Sequence, residues 1–302
     1  MRRPLLVSLG LLILVGGAVA APWMGPGGGD LRTGYAGDDL VPPLELKWRF
    51  VTDDDTWTAS TPAVDDEILV FAVANTVYGV DPDSGQKMWE HETTDVVNSD
   101  ITLGEELVLV GDHSGVLYGI EKDSGRRVFQ YRTVDEDDQN VNTTMGMGTN
   151  ANVQRNEAVE SGFALVDEVI YFGDDQGIVH AVKATKEPVA GVGLWKFNAQ
   201  QAIKVAPTYY RDALYVATLT EVIALQRIKS QGEQMWKADL GGGGRYILGS
   251  PVIANDRVLV GVGDQVVALE ATTGQVIWRA PSQGKVVGSP AVVDGKVAFG
   301  CT

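Results

Sequence analysis

Thr272-Thr273-Gly274-Gln275-Val276-Ile277-Trp278 places a glycine four residues ahead of a tryptophan, and the same spacing returns along the chain. Gly85 precedes Trp89, Gly125 precedes Phe129, Gly191 precedes Trp195 and Gly232 precedes Trp236. Trp48 stands alone at the front of the series. The aromatics at 48, 89, 129, 195, 236 and 278 are separated by 41, 40, 66, 41 and 42 residues. A fixed period of this length with one large aromatic per period is the mark of an internal repeat, and it governs every later reading of the chain.

From residue 44 onward each period divides into four short runs rich in Val, Ile, Leu, Tyr and Phe, separated by turn residues. The first run begins at or near a proline: Thr61-Pro62-Ala63, Ala206-Pro207-Thr208, Ser250-Pro251-Val252 and Ser289-Pro290-Ala291. Proline cannot donate to a sheet ladder, so it fits a strand start or an edge. The second is an apolar run such as Leu107-Val108-Leu109-Val110, with a tight turn such as Asp112-His113-Ser114-Gly115 after it. The third keeps one small residue (Gly79, Gly119, Ala181, Ala224 or Ala268), expected to permit close packing on the adjacent sheet. The fourth follows the glycine turn and carries the aromatic.

Four antiparallel strands at this period define an all-β propeller. The sequence predicts five complete blades and a partial sixth. A blade has two apolar faces and cannot bury both alone, so Trp48, Trp89, Phe129, Trp195, Trp236 and Trp278 are expected to wedge between neighbours. Leu46-Lys47-Trp48-Arg49-Phe50 alternates apolar and polar and reads as a solitary fourth-type strand, suited to closing a ring. The sixth repeat supplies two strands before Thr302, so the expectation is an incomplete chain from a seven- or eight-bladed ring.

One step is long. The excess between Phe129 and Trp195 lies mostly in an insertion at 133–160 that holds Asp135-Glu136-Asp137-Asp138 and Met145-Gly146-Met147-Gly148. Polar, glycine-containing loops belong on an open face and can carry binding. The oxygen ligands there could suit calcium, but the spacing lacks the loop pattern of a dedicated calcium site. Gly241-Gly242-Gly243-Gly244 reads as a flexible connection between the fourth and fifth blades.

The 302 residues carry 40 acidic and 24 basic side chains, a formal charge of -16. Such a surface repels phosphate backbones and argues against nucleic acid as a partner. It suits plain solubility, a high-salt habitat or a basic partner. One cysteine, Cys301, excludes a disulfide within the chain. Arg2-Arg3 precede an apolar run that ends Ala18-Val19-Ala20-Ala21, the pattern of a secretory signal cut between Ala20 and Ala21. The same run, left uncut, could anchor the chain in a bilayer. The expected layout is a signal or anchor over 1–21, a Gly/Pro-rich leader over 22–43 and the propeller over 44–302.

These repeats resemble the PQQ-like β-propeller repeat family, through the Asp81-x-x-x-Gly85-x-x-x-Trp89 unit and the Ser-Pro strand starts. The leader Arg32-Thr33-Gly34-Tyr35 also looks like the segment ahead of the first blade in secreted members. The resemblance implies one of two trades. One branch, the BamB type, is a non-enzymatic scaffold that helps to assemble outer-membrane proteins. The other is the quinoprotein dehydrogenases, which carry pyrroloquinoline quinone (PQQ) with calcium above the propeller axis beside an adjacent cysteine pair. Here Cys301 stands between Gly300 and Thr302, so that pair has no counterpart, and the lipidated cysteine of the scaffold branch is missing as well.

No other motif points to chemistry. His91, His113 and His180 fall in different repeat slots, and none has a zinc-type spacing. His180 takes the third-strand place that Tyr78 and Tyr118 hold in earlier repeats, a structural setting. Asp65-Asp66, Asp53-Asp54-Asp55 and Asp174-Asp175 read as solvated turn residues. The sequence therefore predicts an exported, periplasmic, extracellular or envelope-associated scaffold that binds other proteins, without catalytic, cofactor or metal residues. A quinone-dependent dehydrogenase or a ligand-sensing propeller is the alternative.

Overall fold

β-Branched and aromatic runs bounded by Gly, Asp and Pro favour short pleated strands, and the computed structural model contains no helix among its described residues. These are Gly28, Arg32 and residues 45–52, 60–134, 158–185, 191–228 and 231–302. The signal run with Ala20 and Ala21, Asp53–Asp55, nearly all of the leader and most of the insertion lie outside them.

Blade one comprises β1 (Ala63–Val64), β2 (Leu69–Val73), β3 (Thr76–Val80) and β4 (Lys87–Glu92). Blade two comprises β5 (Thr102–Leu103), β6 (Leu107–Gly111), β7 (Val116–Glu121) and β8 (Arg127–Arg132). Blade three comprises β9 (Ala164–Val166), β10 (Val169–Gly173), β11 (Ile178–Lys183) and β12 (Val192–Asn198). Blade four comprises β13 (Thr208–Tyr210), β14 (Ala213–Ala217), β15 (Glu221–Ile228) and β16 (Gln231–Asp239). Blade five comprises β17 (Val252–Ala254), β18 (Arg257–Val262), β19 (Gln265–Glu270) and β20 (Val276–Pro281), and β21 (Ala291–Val293) pairs with β22 (Lys296–Ala298) beyond it. Each four-stranded sheet is an antiparallel meander in chain order. First strands of neighbouring blades lie against each other, β1 with β5, β9 with β13 and β13 with β17, so they line the axis.

The core sits in the seams. Trp89 belongs to a buried cluster built from blades one and two, with Val70, Val77, Val108 and Tyr118. Trp236 is buried between blades four and five, with Val222, Val258 and Leu269. Trp48 and Phe50 pack on Phe71 and Tyr78 of blade one, although residues 45–52 pair with no strand among the described residues. The expected solitary strand is thus extended chain that uses its side chains and not its ladder.

The role of the small third-strand residue differs from the expectation. Gly79 lies directly across from Trp89, and likewise Gly119 from Phe129, Ala181 from Trp195, Ala224 from Trp236 and Ala268 from Trp278. It makes room for the aromatic of its own blade, not for the adjacent sheet. A Cβ on Gly79 would sit 2.2 Å from the Trp89 ring. A bulge follows the small residue in all five blades, one residue after the pair that faces the aromatic.

The aromatic then reaches into the next blade. A Cβ on Gly85 would meet Trp48 at 2.5 Å, one on Gly125 would meet Trp89 at 2.8 Å, one on Gly232 Trp195 at 2.7 Å, and one on Gly274 Trp236 at 2.4 Å. Three indole N–H groups end on equivalent carbonyls of that next turn: Trp48 on Pro82 (2.9 Å), Trp89 on Lys122 (2.7 Å) and Trp236 on Ala271 (2.9 Å). Gly85, Gly125 and Gly274 also need their glycine backbone, with φ near +70°. Gly191 and Gly232 are not such turns. Gly191 abuts Tyr131 of blade two, and Gly232 lies inside β16 opposite Arg227, because blade four lengthens the hairpin.

Candidate protein-contact face

Each fourth strand crosses to the next first strand over one face of the propeller, and the turns between second and third strands open on the same face. These loops are laced together. The N–H groups of Val97, Val159, Ile203, Ile247 and Val286 donate to the second-to-third turn of their own blade, at Ala74, Asp112, Asp174, Leu219 and Gly263. The carbonyls of Val96, Ala158 and Tyr246 accept from the turn of the following blade, from His113, Asp175 and Gly263. All five slot residues are buried. Val159, Ile203 and Val286 press on Gly111, Gly173 and Gly261 at a distance that leaves no room for a Cβ. The face is consequently rigid, and its exposed large apolar side chains flank the buried slots: Val96, Tyr246 (49% exposed), Leu248 and Val287.

The insertion springs from this face. Its first stem is fixed where Thr133 donates N–H and Oγ1–H to Gly115 O and receives Lys196 Nζ on its own carbonyl. Its second stem is the buried pair Ala158 and Val159. Beside them Lys204 Nζ pairs with Glu160 at 2.5 Å, and His113 Nδ1 lies 3.6 Å from the same carboxylate. Gly241–Gly244, expected to be a flexible connection, form a turn closed by a Gly242–Arg245 bridge on this face.

Asp174 corrects the reading of a solvated turn residue, since it is fully buried, as is Asp112 in the equivalent turn of blade two. Asp112 accepts from the N–H groups of Ser114 and Val116 and from Tyr118 Oη. Asp174 accepts from Gln176 and Ile178, and its second oxygen faces His180 Nε2 at 2.9 Å. Because a carboxylate only accepts, Nε2 carries the proton and the neutral ring takes the Tyr131 hydroxyl on Nδ1 at 3.2 Å. His180 is 1% exposed and stacks on Phe172. Burial holds its imidazole below the ordinary value, against the pull of Asp174. His91 is lowered for the same first reason and bonds Gly125 O through Nδ1. The three histidines stay in separate settings, and among the described residues no three His, Cys, Asp or Glu side chains converge to hold a metal ion.

The opposite face bears a shallow acidic groove of about 270 Å³ between Glu67, Glu106 and Asp123. Two cations beside it are already paired, Lys122 with Asp65 and Glu67, and Arg126 with Glu121. Burial works against the charge of Lys122, yet its two carboxylates outweigh it and hold the ammonium above its ordinary value.

At the axis a second lacing runs between first strands. The residue just before the proline slot presents a side-chain acceptor to the preceding blade: Asp100 Oδ1 to Thr61 N–H (3.2 Å), Ser250 Oγ to Ala206 N–H (3.1 Å) and Ser289 Oγ to Ser250 N–H (2.9 Å). Two hydroxyls cross the same way, Thr102 onto Phe163 O and Thr208 onto Pro251 O. The serine of the Ser-Pro starts is therefore an inter-blade acceptor, a role that the sequence reading assigned to no residue. A quinone held with calcium would need several oxygen ligands together. Asp100 already accepts from Thr61 N–H, and burial raises its carboxyl above the ordinary value, against the pull of Thr61 and Arg32. The described residues do not fit such a group.

Seam-packed, four-stranded meanders around an axis define the β-propeller class. A family model described as "outer membrane protein assembly factor BamB" matches residues 45–147 and 219–300, and the chain belongs to that family. No curated protein matches the chain in sequence. Among solved structures it is similar to BamB from Moraxella catarrhalis, with TM-score 0.51, 19% identity and coverage of 88% of this chain and 87% of that one. It is similar too to the quinohemoprotein alcohol dehydrogenase ADHIIG from Pseudomonas putida HK5, with TM-score 0.69, 16% identity and coverage of 86% and 48%. The dehydrogenase from Comamonas testosteroni gives 0.69, 15%, 91% and 52%. At these identities the likeness is one of fold, and the chain spans about half the length of the dehydrogenases it matches.

Proposed function

We propose that the protein is a non-catalytic, protein-binding scaffold of the cell envelope that meets its partner with the laced loop face. The observation that carries this reading is the set of exposed apolar residues Val96, Tyr246, Leu248 and Val287 on loops that are held rigid from below. A preorganised face with aromatic and aliphatic anchors loses little ordering entropy when it docks. The family match, to a model described as an outer membrane protein assembly factor, supports the scaffold branch. Export through Arg2–Ala21 belongs to the same proposal, and the mature protein is then expected to begin at Ala21.

The test is a photo-crosslinker placed at Tyr246 in the native envelope, with Met88 on a fourth strand as the control position. A discrete adduct is expected from Tyr246 alone. Tyr246→Asp with Leu248→Asp should abolish capture and leave the melting temperature unchanged, because neither side chain is in the core. Equal labelling at the two positions, or dye reduction by the protein with quinone, calcium and an alcohol, would overturn the reading.

A further inference from the structure

The axial lacing has one gap, and its chemistry is specific. In blade three the residue of the side-chain acceptor slot is Gly162, and in blade four it is Ala206, so neither offers an acceptor. The carbonyl of Phe163 in blade three receives the Thr102 hydroxyl, and that of Pro251 in blade five receives the Thr208 hydroxyl. The matching donor position for Pro207 O in blade four is Ala164, which has none. Arg32 enters at this seam. Its Nε donates to Pro207 O at 3.1 Å, its Nη2 donates to Phe163 O at 2.8 Å, and the Asp100 carboxylate lies close enough to feel its charge. Arg32 is only 6% exposed, and it holds a φ of +54°, which a non-glycine residue rarely adopts without being fixed by its surroundings.

We infer that the seam between blades three and four at the propeller axis is a binding site for a guanidinium group, filled from within the chain by Arg32. Two carbonyls on neighbouring blades fix the donor fork, and the half-buried Asp100 carboxylate favours the charge from nearby. The planar guanidinium meets this geometry, whereas an ammonium on a flexible stem presents its donors from a single point. The site joins blades that the side-chain belt leaves unjoined, so its occupancy reads out as stability of the ring. An arginine from another molecule has the same chemistry, and Arg32 excludes it while it is seated.

The experiment uses the full chain. Arg32→Ala should lower the melting temperature by roughly 5–10 °C, the scale of two lost bonds to a charged donor in a chain of this size. Millimolar ethylguanidinium should restore most of that loss, and ethylammonium at the same ionic strength should not. Arg32→Lys should behave like Arg32→Ala, and Arg32→Ala combined with Asp100→Asn should lose the rescue. In the unaltered chain the Arg32 Nε–H should remain visible by nitrogen-edited NMR at a pH where free arginine has exchanged its proton away, so a variant that fails to fold leaves the test intact. An unshifted melting temperature, rescue by ethylammonium equal to that by ethylguanidinium, or an unprotected Nε–H would overturn the site.

Discussion

Tyr131, His180 and Asp174 form a buried line of hydrogen bonds in which one residue of the propeller repeat has been exchanged. Blade two places Tyr118 against Asp112 where blade three places His180 against Asp174. The exchange adds an imidazole, which titrates near neutrality in the unfolded chain. Folding holds the His180 ring below its ordinary value near 6.5, chiefly through burial. Between the folded and the unfolded values the unfolded chain binds a proton that the folded chain does not. Stability is then full above about pH 6.5 and falls as the pH drops below it. His91 adds to the fall for the same reason. His180→Gln keeps a donor for Asp174 and removes the titration, so its melting temperature should decline less steeply than that of the parent between about pH 7 and pH 5. Parallel curves would refute the assignment. The slot of His180 was legible in the sequence because it aligns with Tyr78 and Tyr118. The burial of the aspartates was not, since a turn carboxylate that serves its own backbone and one that also serves the next strand look alike along the chain.

At the scale of the element, the fourth strand serves two blades. Its aromatic lies over the small residue of its own third strand and under the glycine of the next turn. Trp89→Ala removes a ring buried in the first seam together with its bond to Lys122 O, and should cost about 3–5 kcal/mol in denaturant unfolding. Trp278 occupies the same slot but is only partly buried, because no sheet beyond β22 covers it among the described residues. Trp278→Ala should therefore cost clearly less, and equal costs would mean that seam burial is not what the tryptophan supplies. The period of the aromatics and the four runs per repeat were open to reading, because both are spacings along one chain. The partner of Gly79 was not. Its opposition to Trp89 depends on strand register, and the bulge that sets the register has no signature of its own in the residues. Arg32 escaped for a related reason: the gap at Ala164 and Ala206 appears only once the first strands stand side by side.

Over the whole molecule, a net charge of -16 opposes compaction through self-repulsion. Salt shortens the reach of that repulsion, from about 30 Å at 0.01 M to about 3 Å at 1 M. It also weakens exposed pairs such as Lys87–Glu90, but these contribute only about 0–1 kcal/mol each. The repulsion should win, and the melting temperature should rise with sodium chloride across that range. A fall would locate the electrostatic balance in the ion pairs instead.

The indole N–H bonds from Trp48, Trp89 and Trp236 each reach the next blade and no further. Apart from the Arg32 clasp on blades three and four, the blades are stapled to their neighbours alone, and such a chain transmits tension in steps. Pulled from its two ends in an optical trap, the molecule should come apart blade by blade, each rupture releasing a contour of roughly 140 Å at about 3.4 Å per residue. The step that contains the insertion should be visibly longer than the others, so the 66-residue interval between Phe129 and Trp195 would be read as a length on a force trace.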